Sequence, residues 1–149
     1  MKKIVVPIDY SDVSDATIEF AKVLGTLWNA QLEVVSCWRP HLEVEMASTG
    51  RLWQREIHYN DKLNSFLEKH GLKPSSGKLH TGLAGDIIIQ ISQKKDTLMI
   101  IMGTVQKYGL LEKIMGRVAT QVINNAQCPV LLIPPKIVFK ETFKKVLVS

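Results

Sequence analysis

The sequence predicts an α/β protein: a single doubly wound domain with a five-stranded parallel sheet and about four helices covering both faces. Two observations predict it. Short apolar runs recur along the chain, as in strands covered on both sides. Between them lie segments whose apolar residues repeat at helical spacing. Strand–helix alternation in one sheet requires right-handed crossovers, and these place helices on both faces. A length of 149 residues suits one such domain.

The elements follow in order. Ile4-Val5-Val6-Pro7-Ile8 is a continuous apolar run and reads as the first strand. Ser11 or Asp12 can cap the next helix, in which Val13, Ala16, Thr17, Phe20, Ala21 and Leu24 recur at helical spacing, with Gly25 near its end. Gln31 to Trp38 is the second strand and stops before Pro40. Residues 39–51 lack periodicity and read as a loop or lid. Leu52 to His70 is a helix with Leu63, Phe66 and Leu67 facing the core and Gly71 as its stop. Gly77 to Thr81 gives a third strand and Asp86 to Lys94 a third helix. Thr97 to Met102 is the clearest buried strand. Ile114 to Asn125 follows as a helix, and Pro129 to Ile133 closes the sheet before Pro134-Pro135.

Composition removes several classes of function. No run of apolar residues is long enough for a membrane-spanning helix. The opening apolar stretch ends at Asp9, too early for a secretory leader, so the expected location is the cytoplasm. Cys37 and Cys128 lie far apart, and His41, His58, His70 and His80 show no ligand spacing, so a metal site is not expected. The net charge of +5 is concentrated: residues 136–149 carry +3 of it, in Lys136, Lys140, Lys144 and Lys145 against Glu141. No basic stripe with interleaved aromatics remains, and nucleic acid is not an expected partner. Acyl-transfer chemistry has no nucleophile-elbow context around Ser11, Ser14 or His80.

Ligands of doubly wound sheets sit at the carboxyl ends of the strands, where the strand order reverses. Asp9, Cys37, Trp38, Gly82 and Gly103 stand at those ends. The stretch from Gly103 to Gly116 leaves a strand at one glycine and enters a helix at another. A helix N-terminus presents free N–H groups and partial positive charge, and glycine lets a phosphate approach the backbone.

Here the chain resembles the universal stress protein family, across residues 1–134. Its nucleotide-binding members carry Gly-x-x-Gly, a spacer, then Gly-Ser or Gly-Thr at this place. Gly103 and Gly116 match the first and third glycines. The opening Val6-Pro7-Ile8-Asp9-Tyr10-Ser11, the apolar strand ending Met102-Gly103, and Gln127-Cys128-Pro129-Val130-Leu131-Leu132 match in order and spacing. The resemblance implies a Rossmann-like fold and a stress-response role. It implies ATP, with Mg²⁺, as the ligand. Asp9 and Cys37 would flank adenine and ribose, Met102 and Gly103 would line base and sugar, Gly116, Arg117 and Val118 would face phosphates, and Pro7 and Ile8 would belong to the same site. Each also has a plainer role: Asp9 as a helix cap, Cys37 and Met102 as packing, the glycines as backbone geometry.

Two departures weigh on that implication. Gln106 stands where the family has its second glycine, and its Cβ occupies space that phosphate would use. A positive φ there would add strain on the order of 1 kcal/mol. Arg117 replaces the motif's hydroxyl and meets an unfavourable helix dipole of roughly 0.3–1 kcal/mol unless its guanidinium reaches a carboxylate or an anion. Either Arg117 holds a phosphate in altered geometry, or it fills the site. The expectation is a regulatory binding module with weak or no ATP binding; a slow ATPase or ATP-dependent switch is the alternative. The resemblance also implies a homodimer through Val130 to Ile133, with a further protein partner unspecified. Residues 1–135 form the domain, and 136–149 form a basic extension. In it Lys144-Lys145-Val146-Leu147-Val148 echoes Lys2-Lys3-Ile4-Val5-Val6, as an added strand or the start of a second domain.

Overall fold

The computed structural model of the chain describes residues 1–40, 49–104 and 116–135. Five strands, β1 (Lys3–Ile8), β2 (Gln31–Trp38), β3 (Gly77–Thr81), β4 (Thr97–Gly103) and β5 (Val130–Ile133), form one sheet in the order β3-β2-β1-β4-β5. All four pairings are parallel. The helices are α1 (Asp12–Leu27), α2 (Thr49–Lys69), α3 (Ala84–Ser92) and α4 (Arg117–Asn125), with a 3₁₀ turn at Pro74–Ser76. The expected five-stranded doubly wound architecture is what forms.

Alternation along β1 divides the core in two. Ile4, Val6 and Ile8 face α1 and α2, joining Ile18, Ala21, Leu63, Phe66 and Leu67. Val5 faces the other way, with Val35 and Ile100, against Ile88 and Ile91 of α3 and Ala119 and Val122 of α4. β1 to β2 to β3 steps one way; the next crossover returns past β1 to β4, so the strand order reverses between β1 and β4.

Proline at the centre of a sheet needs a reason, and Pro7 has one. The Lys3 N–H donates to Asp96 O, and every second residue of β1 turns its backbone the same way, so Pro7 also faces β4. Lacking an N–H, Pro7 cannot extend that ladder. β1 pairs β4 only through Val5, whereas it pairs β2 through Ile8. The two central strands therefore part at their carboxyl ends.

Local boundaries differ from the sequence expectations for identifiable reasons. Ser11 is at the N-cap of α1, but its hydroxyl donates to Asp9 Oδ1 rather than accepting from the helix. Gly25 lies inside α1, where a Cβ would crowd Ala30 O at 3.1 Å and the Leu32 side chain. α3 opens two residues before Asp86, at Ala84, behind Leu83. α4 begins at Arg117 rather than Ile114, because Gly116 adopts φ −57° and ψ 155°, which is extended rather than helical. Gly71, at φ +68°, follows α2 as expected. The expected loop at 39–51 and the extension at 136–149 fall largely or wholly outside the described residues.

Candidate functional site

The gap between β1 and β4 is the floor of a cavity of about 240 Å³. That volume is just below the roughly 300–1,000 Å³ of typical small-molecule sites. Pro7, Ile8 and Asp9 leave β1 on one side, and Met102, Gly103 and Thr104 leave β4 on the other. Ser11, Val13 and Ser14 bring the N-terminus of α1, and Gly116, Arg117, Val118 and Ala119 bring that of α4. Ala84 and Ile88 of α3 complete the wall. Two helix N-termini thus converge on one largely apolar pocket.

Asp9 is held by a turn that carries strain. Tyr10, the next residue, has φ 63°, a left-handed conformation that costs a non-glycine residue on the order of 1–2 kcal/mol. Tertiary contacts hold it there. The Tyr10 ring meets Phe66 edge-on at 5.8 Å, its hydroxyl donates to Ser36 Oγ at 2.9 Å, and Lys62 Nζ lies 4.4 Å from its centroid. Asp9 Oδ1 accepts from the Ser11 N–H at 3.0 Å, the Ser11 hydroxyl at 2.5 Å and the Ser14 hydroxyl at 2.8 Å. Partial desolvation pushes the Asp9 pKa up, but these hydrogen bonds outweigh it and hold the carboxyl below its ordinary value. Asp9 is a carboxylate at neutral pH, an acceptor on the cavity wall.

The opposite wall is electropositive. Gly116 caps α4 without a side chain, so the first N–H groups of the helix have no side-chain acceptor among the described residues. Arg117 adds a guanidinium that pairs with none of the described residues. Among the described residues, no carboxylate pairs with it.

The two glycines serve different ends. A Cβ on Gly103 would collide with Val13 and come within 3.1 Å of Thr17 Oγ1, so glycine is needed there for α1 to seat on β4. A Cβ on Gly116 would meet no described atom within 4 Å, and φ −57° suits any residue. Packing among the described residues does not require glycine at 116, and Ser or Asp caps a helix better. A glycine that packing does not require, facing a cavity, fits close approach of a ligand.

Of the ten residues carried over by resemblance, eight share this cavity: Pro7, Ile8, Asp9, Met102, Gly103, Gly116, Arg117 and Val118. Gln106 is outside the described residues. Cys37 is not on the wall: it packs against the α3–α4 core, where burial pushes its thiol up to about 11. Ser11, Val13, Ser14, Ala84, Ile88, Thr104 and Ala119 line the cavity without having been expected there. Among the described residues, no three His, Cys, Asp or Glu side chains gather as a metal site, and no helix is long and apolar enough to cross a membrane.

A parallel doubly wound domain with an anion-favouring crevice at its switch point defines the class. The model of the universal stress protein family matches residues 1–134, and the chain belongs to that family. A universal stress protein of Methanocaldococcus jannaschii is 31% identical over 89% of this chain and 81% of its own length. One from Bacillus subtilis is 25% identical, over 88% and 97%. The fold recurs in a universal stress protein from Lactobacillus plantarum, with a TM-score of 0.69 at 17% identity over 89% of this chain and 97% of that one. Two Pseudomonas aeruginosa structures cover 99% of this chain, which spans only 52% of their length. Two further relatives in fold are complexes, one a universal stress protein with cAMP (16% identity, TM-score 0.60), the other an Archaeoglobus fulgidus universal stress protein with dAMP (22%, TM-score 0.57).

Proposed function

We propose that this chain is a regulatory binding module whose crevice takes an adenine nucleotide through one phosphate, seated at the first turn of α4, and holds ATP weakly. The observation that carries it is Gly116: no described atom within 4 Å of its Cβ position, ordinary φ, and a cavity in front of it. Arg117, with no partner among the described residues, supplies a charge-assisted contact in place of the hydroxyl that the family motif has there. Asp9, ionised and opposite, accepts from ligand hydroxyls. The cAMP and dAMP complexes of two relatives in fold support a ligand with one phosphate. Gln106, in place of a motif glycine, argues against room for a triphosphate. Mg²⁺ would then enter with ATP on its phosphates. The role is binding rather than catalysis, a reading supported by Asp9, the one carboxylate among the described wall residues, being already engaged by two serines.

The module acts as a homodimer in the cytoplasm, in the response to stress, and signals to a further protein. Support for the dimer comes from β5, an edge strand of four residues in which Val130, Leu131 and Leu132 are only half-buried. The extension at 136–149 opens either an added strand or a second unit, a reading supported by its echo of residues 2–6.

Calorimetric titration tests the ligand. AMP binds more tightly than Mg-ATP, and Arg117→Ala weakens AMP by roughly 10- to 100-fold, as for a lost hydrogen bond to a charged group. Mg-ATP binding that exceeds AMP and survives Arg117→Ala would favour an ATP-dependent switch instead.

A further inference from the structure

One solvent-exposed contact joins α3 to α4. Gln121 Nε2 donates to Asp86 Oδ1 at 2.8 Å. Asp86 is in the first turn of α3, where a carboxylate is favoured by the helix dipole. Gln121 is one turn beyond Arg117, on the same face of α4. Gly85 makes the approach possible: it is buried, and a Cβ there would land on the carboxamide of Gln121. Both helices contribute cavity wall at their N-terminal ends, Ala84 and Ile88 from one, Gly116 to Ala119 from the other.

We infer that Gly85, Asp86 and Gln121 form a positioning clamp that fixes the rotation and seating of α4, and so aims its first N–H groups and Arg117 at the anionic ligand. None of the three is on the cavity wall. The clamp rests on the nucleotide reading for its purpose, but its mechanical part is visible without ligand. The first hydrogen bond of α4 runs from the Thr120 N–H to Gly116 O at 3.0 Å, reinforced by the Thr120 hydroxyl at 3.1 Å. A loosened clamp should fray that bond first.

Gly85→Ala separates positioning from stability. Alanine is the better helix former, so the melting temperature holds or rises. Its methyl displaces the end of a flexible side chain and breaks the Asp86 contact. AMP affinity should fall roughly 3- to 10-fold, the range of one hydrogen bond, and exchange of the Thr120 amide should quicken. Gln121→Ala should do the same to affinity, and Asp86→Asn, which keeps an acceptor, should bind like the parent. Wild-type AMP affinity in Gly85→Ala and Gln121→Ala, or unchanged Thr120 exchange, overturns the clamp. If the parent protein itself fails to bind AMP, the nucleotide reading fails, and Thr120 exchange alone then decides whether the clamp exists.

Discussion

Gly103→Ala adds one methyl group where β4 meets α1, and the structure says what it strikes. The new Cβ overlaps Val13 and sits 3.1 Å from Thr17 Oγ1. Thr17 is fully buried, and its hydroxyl is tied to Val13 O at 2.6 Å, so neither neighbour can swing aside alone. Relief requires α1 to shift from the sheet, an overpacking cost of about 1–3 kcal/mol. At roughly 2–4 °C per kcal/mol for a domain of this size, the melting temperature should drop by roughly 2–12 °C. The control is Gly116→Ser. Its side chain meets no described atom and supplies a better cap, so stability should hold or rise by a few tenths of a kcal/mol while nucleotide affinity falls. Differential scanning calorimetry on both variants reads the contrast. Equal stability of Gly103→Ala and the parent would refute the packing argument, and a large loss in Gly116→Ser would refute the reading that packing does not require glycine there.

Other consequences follow from the same geometry. His70 is buried between Asp15 Oδ1 at 2.7 Å and Glu19 Oε1 at 2.8 Å, an arrangement that both ring N–H groups of an imidazolium satisfy. Desolvation pushes both carboxyls up, but His70, with Lys69 or Lys22, outweighs it and holds them below their ordinary values of 3.8 and 4.5. Depressed carboxyl pKa values mean stability present above those values and lost as pH falls through and below them. Urea unfolding at a series of pH values should show this acid loss flatten in His70→Ala, which costs about 1–2 kcal/mol at neutral pH. A parallel pH dependence in the two proteins would count against the network. The Cys37 thiol, at about 11, should react with iodoacetamide at pH 8 far more slowly than a free thiol; rapid labelling would mean that it is not packed as described. Leu131→Lys on β5 should shift the sedimenting mass from dimer to monomer, and an unchanged dimer would move the interface elsewhere.

The sheet was legible because its strands are apolar on both faces, the signature of burial between helix layers. Strand termini matched closely, since Pro40, Gly103 and Pro134 punctuate them. Helix starts were less legible. Gly116 is extended and α4 runs from Arg117, whereas the apolar spacing set its start at Ile114, which lies outside the described residues. Half of what shapes the crevice is tertiary and leaves no local signal. The positive φ of Tyr10 is maintained by Phe66, Ser36 and Lys62, residues distant in sequence. Pairing of Asp86 with Gln121 requires two helices to meet. Gly103 matched a ligand motif, yet its described neighbours in α1 account for it fully. Gly116 matched the same motif and has no such neighbours among the described residues, which is the ground for the proposed anion site.

The most direct test is to follow backbone amide resonances during titration with AMP. A nucleotide seated at the first turn of α4 should move Gly116, Arg117 and Val118 most, with Asp9 and Thr104 beside them, and leave β3 and the far end of α2 unchanged. No movement at millimolar AMP, or movement centred away from α4, would contradict the placement of an anion site at that helix.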